Sequence, residues 1–300
     1  FIRNDFLDLV ELYPDCIFLV FTNGFLLTDK VVARIKKLGN VAPMFSLNGW
    51  KESNDKTRGE GSFDTVMEKM DLLKKEGIFF GASLTATSEN TDEIVSDEFL
   101  KMLSDKGVLW AWGFHYVPVG ENPDPSITPS AKQREKIKEA LYNARNTLPM
   151  MTVDFWGDGP EMMGCIAGGR QYIHVNAKGD VEPCTFVHLA THNVKDCTLT
   201  EALASPFMTD IRNGIPYDGN MLRPCMIVDR PDILRGYFQK HKPYETHRGA
   251  ADYLTKPEIM EQIDNYAEEV KEIMDKAWEN DYYMTLFPLP GEYYHDRKIL

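Results

Sequence analysis

Cysteine is scarce in this chain, with five residues among 300, an odd number. So few cysteines exclude the dense disulfide framework of a small secreted protein, and we expect a reducing, cytoplasmic compartment instead. Long apolar runs are also lacking, because none approaches the roughly 20 residues that a membrane span needs. We therefore expect neither a membrane span nor a signal peptide.

Positively charged residues are also fewer than negatively charged ones. Lys and Arg total 33 against 46 for Asp and Glu, so the net charge is -13 and the isoelectric point is near 5.0. This balance argues against a nucleic-acid partner held through its phosphates. The 43% hydrophobic content supplies enough core for one large domain or two modest ones.

Short apolar runs of strand-forming residues alternate with helical stretches over the first half of the chain. The first run is CIFLVF at 16–21, and the clearest early helix is 62–76, with Ser62 as its expected N-cap and Gly77 as its stop. A second helix is expected at 92–106, again stopped by a glycine. This alternation predicts an α/β fold with parallel strands joined by crossover helices.

Small polar residues follow the predicted strands at their C-terminal ends, where active sites of such folds lie. The loop after the second strand, GWKESNDKTRGEGSF, has two interpretations. It is either a solvated turn or an anion clamp in which Arg58 faces the strand ends. His115, in the fourth strand, faces either the inside of a barrel or the core.

Three cysteines surround a predicted hairpin in the second half of the chain. Cys165 and Cys184 flank the segment QYIHVNAKGDVEP, and Cys225 follows after a helical stretch. Three thiolates brought together would make a soft-metal site. Small buried apolar side chains, as many free cysteines are, remain the alternative.

Several segments, in order, are similar to a known family. FTNGFLL, FSLNGWKESNDKTRGEGSFDTVMEKMDLLKKEGI and GASLTATSEN resemble radical S-adenosylmethionine (SAM) enzymes, and the stretch from Cys165 to Cys225 resembles the auxiliary iron–sulfur domain of the SPASM or twitch type. The resemblance covers roughly residues 15–230. It implies a partial (β/α) barrel at 1–150, an α+β auxiliary domain at 151–235 and a C-terminal helical extension at 236–300.

The resemblance also implies roles for individual residues. It places Arg58 at the SAM carboxylate and Ser46 near the ribose and carboxylate, and it assigns no catalytic residue. Three thiolates, those of Cys165, Cys184 and Cys225, would hold an auxiliary 4Fe-4S cluster, with Cys197 as a candidate fourth ligand. The remaining positions expected to line the SAM or substrate site are Asn23, Asn48, Thr85 and Tyr116.

The family signature C-x-x-x-C-x-x-C is absent from this sequence, and we expect it, with a second 4Fe-4S cluster, upstream of Phe1. Asn48 and Asn54 stand where the family usually has Asp and often has His. The implied reaction is cleavage of SAM to a 5′-deoxyadenosyl radical, which abstracts hydrogen from a peptide, cofactor, sugar or lipid substrate. A reductase such as flavodoxin or ferredoxin would supply the electrons.

Two other functions stay open from the residues alone. One is a binding or scaffold protein stabilised by zinc or an iron–sulfur cluster, without SAM chemistry. The other is a plain α/β enzyme with unliganded cysteines. The clearest helix of the sequence, predicted at 257–279, either packs on the rest of the chain or docks a partner, and the aromatic tail that follows it has no assigned role.

Overall fold

The computed structural model describes residues 1–3 and 5–280, with the side chain of Asn280 left out. The chain divides into two compact units. The first comprises Phe1–Tyr116 and Lys136–Phe155, and the second comprises Val117–Glu135 and the residues from Trp156 onward. The three-part division at residues 150 and 235 stays a prediction, and the tail beyond residue 280 lies outside the described residues.

The first unit is built on one parallel sheet of five strands in the order β1-β2-β3-β4-β5. The strands are β1 Phe18–Thr22, β2 Val41–Leu47, β3 Gly81–Ala86, β4 Trp110–His115 and β5 Met151–Asp154. The helices are α1 Phe6–Glu11, α2 Asp29–Leu38, α3 Lys51–Arg58, α4 Ser62–Glu76, α5 Thr91–Ile94, α6 Asp97–Lys106 and the larger part of α7 Ala131–Thr147. The predicted α/β fold of parallel strands and crossover helices is confirmed.

The two faces of this sheet differ in chemistry. One face packs against the helices, with Phe45, Leu84 and Ala111 in the same apolar core as helix residues. Side chains alternate between faces along a strand, so the intervening residues lie on the other face. There, Ser46 is in register with Ser83. Ser83 and Thr85 are in turn in register with the aromatic residues Trp112 and Phe114.

Helix α4 begins and ends where the sequence predicted, at Ser62–Glu76. Its cap does not match, because the N-cap is Gly61, in the left-handed conformation with φ 79°. The carboxylate of Asp55 takes the capping role and accepts hydrogen bonds from the backbone N–H of Gly61 (3.0 Å) and Phe63 (2.8 Å). The predicted 92–106 helix is in fact two helices, since Ser96 caps α6 by accepting from Phe99 N.

The second unit contains short strands and several helices. The predicted hairpin is confirmed in shorter form, with β6 His174–Val175 antiparallel to β7 Val181–Glu182. A second antiparallel pair joins β8 Leu189–Ala190 to β9 Tyr244–Glu245. The helices are α8 Leu199–Leu203, α9 Pro206–Gly214, α10 Pro231–His241, α11 Asp252–Thr255 and α12 Pro257–Asn280, with a 3-10 turn at Pro125–Ile127.

The long C-terminal helix was predicted at 257–279, and α12 confirms it. Its apolar side packs within the second unit, where Val270 and Met274 join Leu222 in a buried cluster. None of the helices in the described part of the chain is long and apolar enough to cross a membrane.

Candidate functional site

The end of β2 is tied to α3 through a set of amide side chains. Arg58 Nη2 donates to Asn48 Oδ1 at 2.8 Å, and Asn48 Nδ2 donates to Thr57 Oγ1 at 3.1 Å. The buried Asn54 accepts from Asn48 N at 3.0 Å and donates to Ser62 Oγ at 2.8 Å. The segment predicted as a loop is therefore largely a helix, and its polar residues bond to one another rather than to solvent alone.

Arg58 is the one cation among the predicted rim residues, and its environment is unusual. The side chain is half-buried, and burial lowers the pKa of its guanidinium. Its Nε is buried and has no hydrogen-bond partner, and across the described residues no carboxylate forms an ion pair with it. A desolvated guanidinium bonded to a neutral amide is suited to bind an anion, which favours the clamp over the solvated turn.

The other predicted rim residues lie at the ends of four different strands. Ser46 and Thr85 are on the face away from the helices, and Thr85 is in register with Phe114. Asn23 is exposed after edge strand β1, and its Oδ1 accepts from Phe25 N at 3.3 Å. Tyr116 follows β4 and donates its backbone N–H to Ala86 O at 2.8 Å. Of the six residues, the structure brings Asn48 and Arg58 into direct contact.

Aromatic rings cover much of the same face of the sheet. The ring centroids of Trp112 and Phe114 are 5.9 Å apart and stacked, and Phe155 and Phe21 lie 5.1 Å and 6.3 Å from Phe114. The indole N–H groups of Trp110 and Trp112 are buried without a hydrogen-bond partner. This face therefore combines apolar area with a few small hydroxyl groups and two unused donors.

Asn90 is a functional candidate that the sequence analysis missed. Its Nδ2 donates to Asn48 O at 2.9 Å and to Thr85 O at 3.0 Å, so one buried amide fixes the ends of β2 and β3 together. Its neighbour Glu93 accepts from Trp50 N and Ser53 Oγ. The signal was present, because Asn90 closes the segment GASLTATSEN.

His115 lies on the helix-covered face, opposite to Thr85. It is buried together with Asp154, and its Nε2 is 3.4 Å from Asp154 Oδ1. Alternation along β4 places it one residue out of phase with Phe114. The core interpretation of His115 is therefore the one that the structure supports.

The second candidate site contains Cys165, Cys184 and Cys225, hereafter the three-thiol region. Burial raises the pKa of Cys165 to about 11 and that of Cys225 to about 12. Burial raises the pKa of Cys184 still further, and the next cause is the charge of Cys165. The thiols therefore share one buried region within electrostatic reach of each other.

A backbone N–H group donates a hydrogen bond to one of these sulfur atoms. Cys225 Sγ accepts from Ile227 N at 3.4 Å. Backbone N–H groups shortly after each cysteine in sequence stabilise its thiolate form, for example those of Ala167 at Cys165 and Phe186 at Cys184. Such donors are common around the thiolates that hold iron–sulfur clusters, because hydrogen bonds to sulfur help to set the reduction potential of the cluster.

A buried ion pair supports the loop that carries Cys225. Asp229 Oδ2 accepts from Cys225 N at 2.8 Å and from Arg134 Nη2 at 3.0 Å. Arg134 also donates to Leu222 O at 2.9 Å. The side chains of Arg134 and Asp229 are almost fully buried, so the pair anchors this loop in a low-dielectric environment.

Among the described residues of the second unit, two buried phenol groups lack a hydrogen-bond partner, those of Tyr217 and Tyr253. An unpaired buried hydroxyl costs about 1–3 kcal/mol, so these groups are orphaned polar atoms that a bound acceptor would satisfy. Cysteine sulfur atoms are the donors that iron–sulfur groups bind. The side chains are not in ligand geometry, however, since within 1–3 and 5–280 no group of three His, Cys, Asp or Glu is arranged to hold a metal ion. The ligand set stays a prediction.

Cys197 has a different environment from the three thiols. Its S–H donates to Asn193 O at 3.4 Å, and it packs against the cluster of Val181, Ala202 and Met208. This contact set favours a structural role. Cys16, in contrast, is exposed.

Comparison with known proteins finds a family model and individual proteins that are similar to this chain. Residues 4–100 match the model of the Radical SAM superfamily. The AdoMet-dependent heme synthase of Oleidesulfovibrio alaskensis is 25% identical over 226 residues, which cover 66% of this chain and 57% of that protein. Mycofactocin maturase MftC of Mycolicibacterium smegmatis is 28% identical over 175 residues, or 55% of this chain and 44% of that protein.

A solved structure agrees in fold. Streptococcus suis SuiB bound to S-adenosylmethionine superimposes with a TM-score of 0.59 at 15% identity, over 74% of this chain and 58% of that chain. The chain spans about half the length of the curated relatives it matches. The match of residues 4–100 to the Radical SAM superfamily model agrees with the resemblance seen in the sequence.

Proposed function

We propose that this chain forms part of an enzyme that binds SAM at the C-terminal edge of the five-stranded sheet. The observation that carries the proposal is Arg58, a half-buried guanidinium without an ion-pair partner in the described residues, inside the segment that matches the family. Bound SAM supplies reductive cleavage and hydrogen-atom abstraction from the substrate. Electrons would come from a cytoplasmic reductase of the flavodoxin or ferredoxin kind.

The residues of the chain have positioning roles in this proposal. Arg58 binds the carboxylate of SAM, and Asn48 holds the guanidinium through its 2.8 Å hydrogen bond. Asn90 holds the ends of β2 and β3 at a constant spacing through its two bonds to backbone carbonyls. The aromatic face around Phe114 excludes water from the reacting groups, as radical chemistry requires.

We further propose that the three-thiol region holds an auxiliary 4Fe-4S cluster through Cys165, Cys184 and Cys225. The substrate class is a cofactor precursor or a peptide. Support comes from the relatives, one of which is named a heme synthase, and from a SuiB structure that contains a precursor peptide. The aromatic face of the sheet suits either kind of substrate, because both carry extended apolar or planar groups.

The test is the content of iron and sulfide per chain after anaerobic reconstitution. Wild type is expected to hold about four irons in this region, and Cys165→Ala, Cys184→Ala and Cys225→Ala are each expected to lose them. Cys197→Ala and Cys16→Ala are the matched controls and should retain the iron. Zinc in place of iron would favour the scaffold alternative, and metal-free wild type would remove the auxiliary cluster from the proposal.

A further inference from the structure

The second unit contains a cavity of about 250 Å³ that has no role in the binding of SAM or of a cluster proposed above. One wall is the chain between β4 and α7, and the other is one side of α12, where Gln262, Tyr266 and Glu269 follow each other at steps of three or four residues. Prolines and aliphatic side chains complete a lining whose polar members are Ser126, Thr128, Gln262, Asn265, Tyr266 and Glu269.

The hydroxyl groups on the first wall present oxygen acceptors. Thr128 Oγ1 is buried and has no hydrogen-bond partner, which is rare in folded proteins. Ser126 Oγ donates its proton to Asp124 Oδ1 at 2.6 Å, so this oxygen can only accept further hydrogen bonds. A bound group that donates hydrogen bonds would therefore satisfy this wall better than one that accepts them.

The helix wall also offers oxygen atoms. Gln262 Nε2 donates to Glu258 O at 3.1 Å, and because a carbonyl only accepts, the amide oxygen of Gln262 is the atom left for a ligand. Glu269 is exposed, and an ionised carboxylate likewise only accepts. Among the described residues that line the cavity, Glu269 is the single charged one. The cavity thus combines a surplus of acceptors with a negative charge.

The remaining lining sets the size and the apolar character of the cavity. The phenol oxygen of Tyr266 accepts a hydrogen bond from Arg134, whose guanidinium is itself bonded to Asp229 at 3.0 Å, so the aromatic ring is held in place. Aromatic rings attract cations, and Val228 and Ile263 provide apolar surface for a hydrocarbon chain. Sites for drug-sized ligands are roughly 300–1,000 Å³, so this cavity suits a smaller molecule or a single side chain.

We propose that this cavity binds a primary ammonium group carried on a short aliphatic chain. An ammonium has three donors and no acceptor, which matches the acceptor oxygens of Thr128, Gln262 and Glu269. A carboxylate ligand would be repelled by Glu269, and a neutral alcohol would leave its charge without a partner. The ammonium belongs either to a free amine or to a lysine side chain of a polypeptide, and its binding requires neither SAM nor iron.

The experiment is a ligand-observed NMR titration of the full chain with n-butylammonium at about pH 7, where the amine is protonated. We expect a dissociation constant of about 1–10 mM, because so small a ligand has few contacts to make. The probes n-butanol and butyrate have the same chain length and should bind at least about tenfold more weakly. Equal binding of n-butanol, or no binding of n-butylammonium up to about 100 mM, would overturn the proposal.

A short peptide distinguishes the two sources of the ammonium group. If acetyl-Gly-Lys-Gly-amide binds at least about tenfold more tightly than n-butylammonium, the ligand is a polypeptide, because the neighbouring peptide groups then add contacts. Weaker binding of the peptide identifies a free amine instead. Both results support the ammonium site, and both can be obtained whether or not the chain binds SAM or takes up iron.

Two variants test the contacts of the cavity. Thr128→Val and Glu269→Gln are each expected to weaken the binding of n-butylammonium about fivefold. Thr128→Val should leave the unfolding temperature unchanged or raise it, because the hydroxyl has no partner in the protein. Unchanged affinity in both variants would overturn the proposal.

Glu272→Gln is the matched control, since it removes the same charge from the same helix at an exposed position outside the lining. It is needed because the net charge of -13 attracts cations to the whole surface. Affinity in Glu272→Gln should stay within about twofold of wild type. Equal weakening by Glu269→Gln and Glu272→Gln would show that the attraction is diffuse and would also overturn the site.

Discussion

A guanidinium that is half-buried and bonded to an amide oxygen is a rare arrangement, because desolvation is costly unless a counter-charge offsets it. Arg58 is in this state at the end of β2, and burial lowers its pKa. Asn48 provides one acceptor, and Nε is left without one. At the scale of single residues, this is the strongest indication of an anionic ligand in the first unit.

Substitution of Arg58 tests that indication. Arg58→Gln should weaken SAM binding by about 10- to 100-fold, because a hydrogen bond to a charged group contributes about 1.5–3 kcal/mol. Binding would be measured by equilibrium dialysis with labelled SAM. Arg34→Gln is the control, since Arg34 already pairs with Asp8 and Glu11, and unchanged affinity in Arg58→Gln would exclude the clamp.

The charge of the Asp55 carboxylate is expected to make the stability of the fold depend on pH in the acid range. The backbone N–H of Phe63 is the largest of several hydrogen-bond donors that lower its pKa from 3.8. A folded-state pKa below the unfolded value stabilises the fold above about pH 4 and loses that contribution as the pH falls through the folded value.

Asp55→Asn should therefore lower the urea midpoint at about pH 6, and the difference from wild type should shrink at about pH 3. Asp64→Asn is the control, because this carboxylate in the first turn of the same helix pairs with the exposed Lys51. A difference that stays constant between the two pH values would contradict the capping role of the Asp55 charge.

At the scale of elements, α3 is a helix that the local sequence pattern does not predict. KESNDKTR lacks the apolar period of a helix, so the segment is typical of a loop. The helix forms because its ends are anchored elsewhere. The Trp50 ring lies 5.2 Å from the ring of Phe99, and Asn54 is buried against Ser62. Tertiary contacts outweigh helix propensity in such a short element.

Close backbone packing in the second unit leads to a matched pair of glycine predictions. A Cβ at Gly159 would lie 1.9 Å from Met221 O, so Gly159→Ala must displace backbone and should destabilise by about 1–3 kcal/mol or more. Gly236→Ala, inside α10 with open space around it, should stabilise by about 1 kcal/mol. Urea unfolding of both variants measures the contrast, and equal midpoints would refute the packing argument.

At the scale of the whole molecule, the two compact units depend on different interactions. The first has a continuous apolar core between sheet and helices. The second has short strands, and two buried tyrosine hydroxyls of its described residues lack partners. A metal group that binds the folded state and not the unfolded chain adds its binding free energy to stability.

Removal of iron should therefore destabilise the region of the three cysteines without affecting the five-stranded sheet. Chelation from the reconstituted chain is expected to speed amide hydrogen exchange around Cys165, Cys184 and Cys225, while exchange in β1 to β5 stays unchanged. Exchange measured by mass spectrometry resolves the two regions. A uniform increase over the chain, or none at the cysteines, would show that the second unit does not depend on the metal.

The sequence alone was sufficient for the parallel α/β fold, the bounds of α4 and α12, and the hairpin between Cys165 and Cys184. These features depend on local periodicity, glycine stops and turn residues, all of which involve residues that are close together in the sequence. The segments around Asn23, Asn48 and Arg58 also predicted the superfamily, since their order along the chain is itself specific.

Only the tertiary structure decided what depends on distant residues. It placed His115 on the helix-covered face with Asp154, and it made Asn90 the link between two strand ends. It also left Arg58, Tyr217 and Tyr253 with buried polar atoms that lack partners. Burial and hydrogen-bond satisfaction are properties of the folded surroundings, so periodicity predicts which residues face inward but not whether a polar atom there will find a partner.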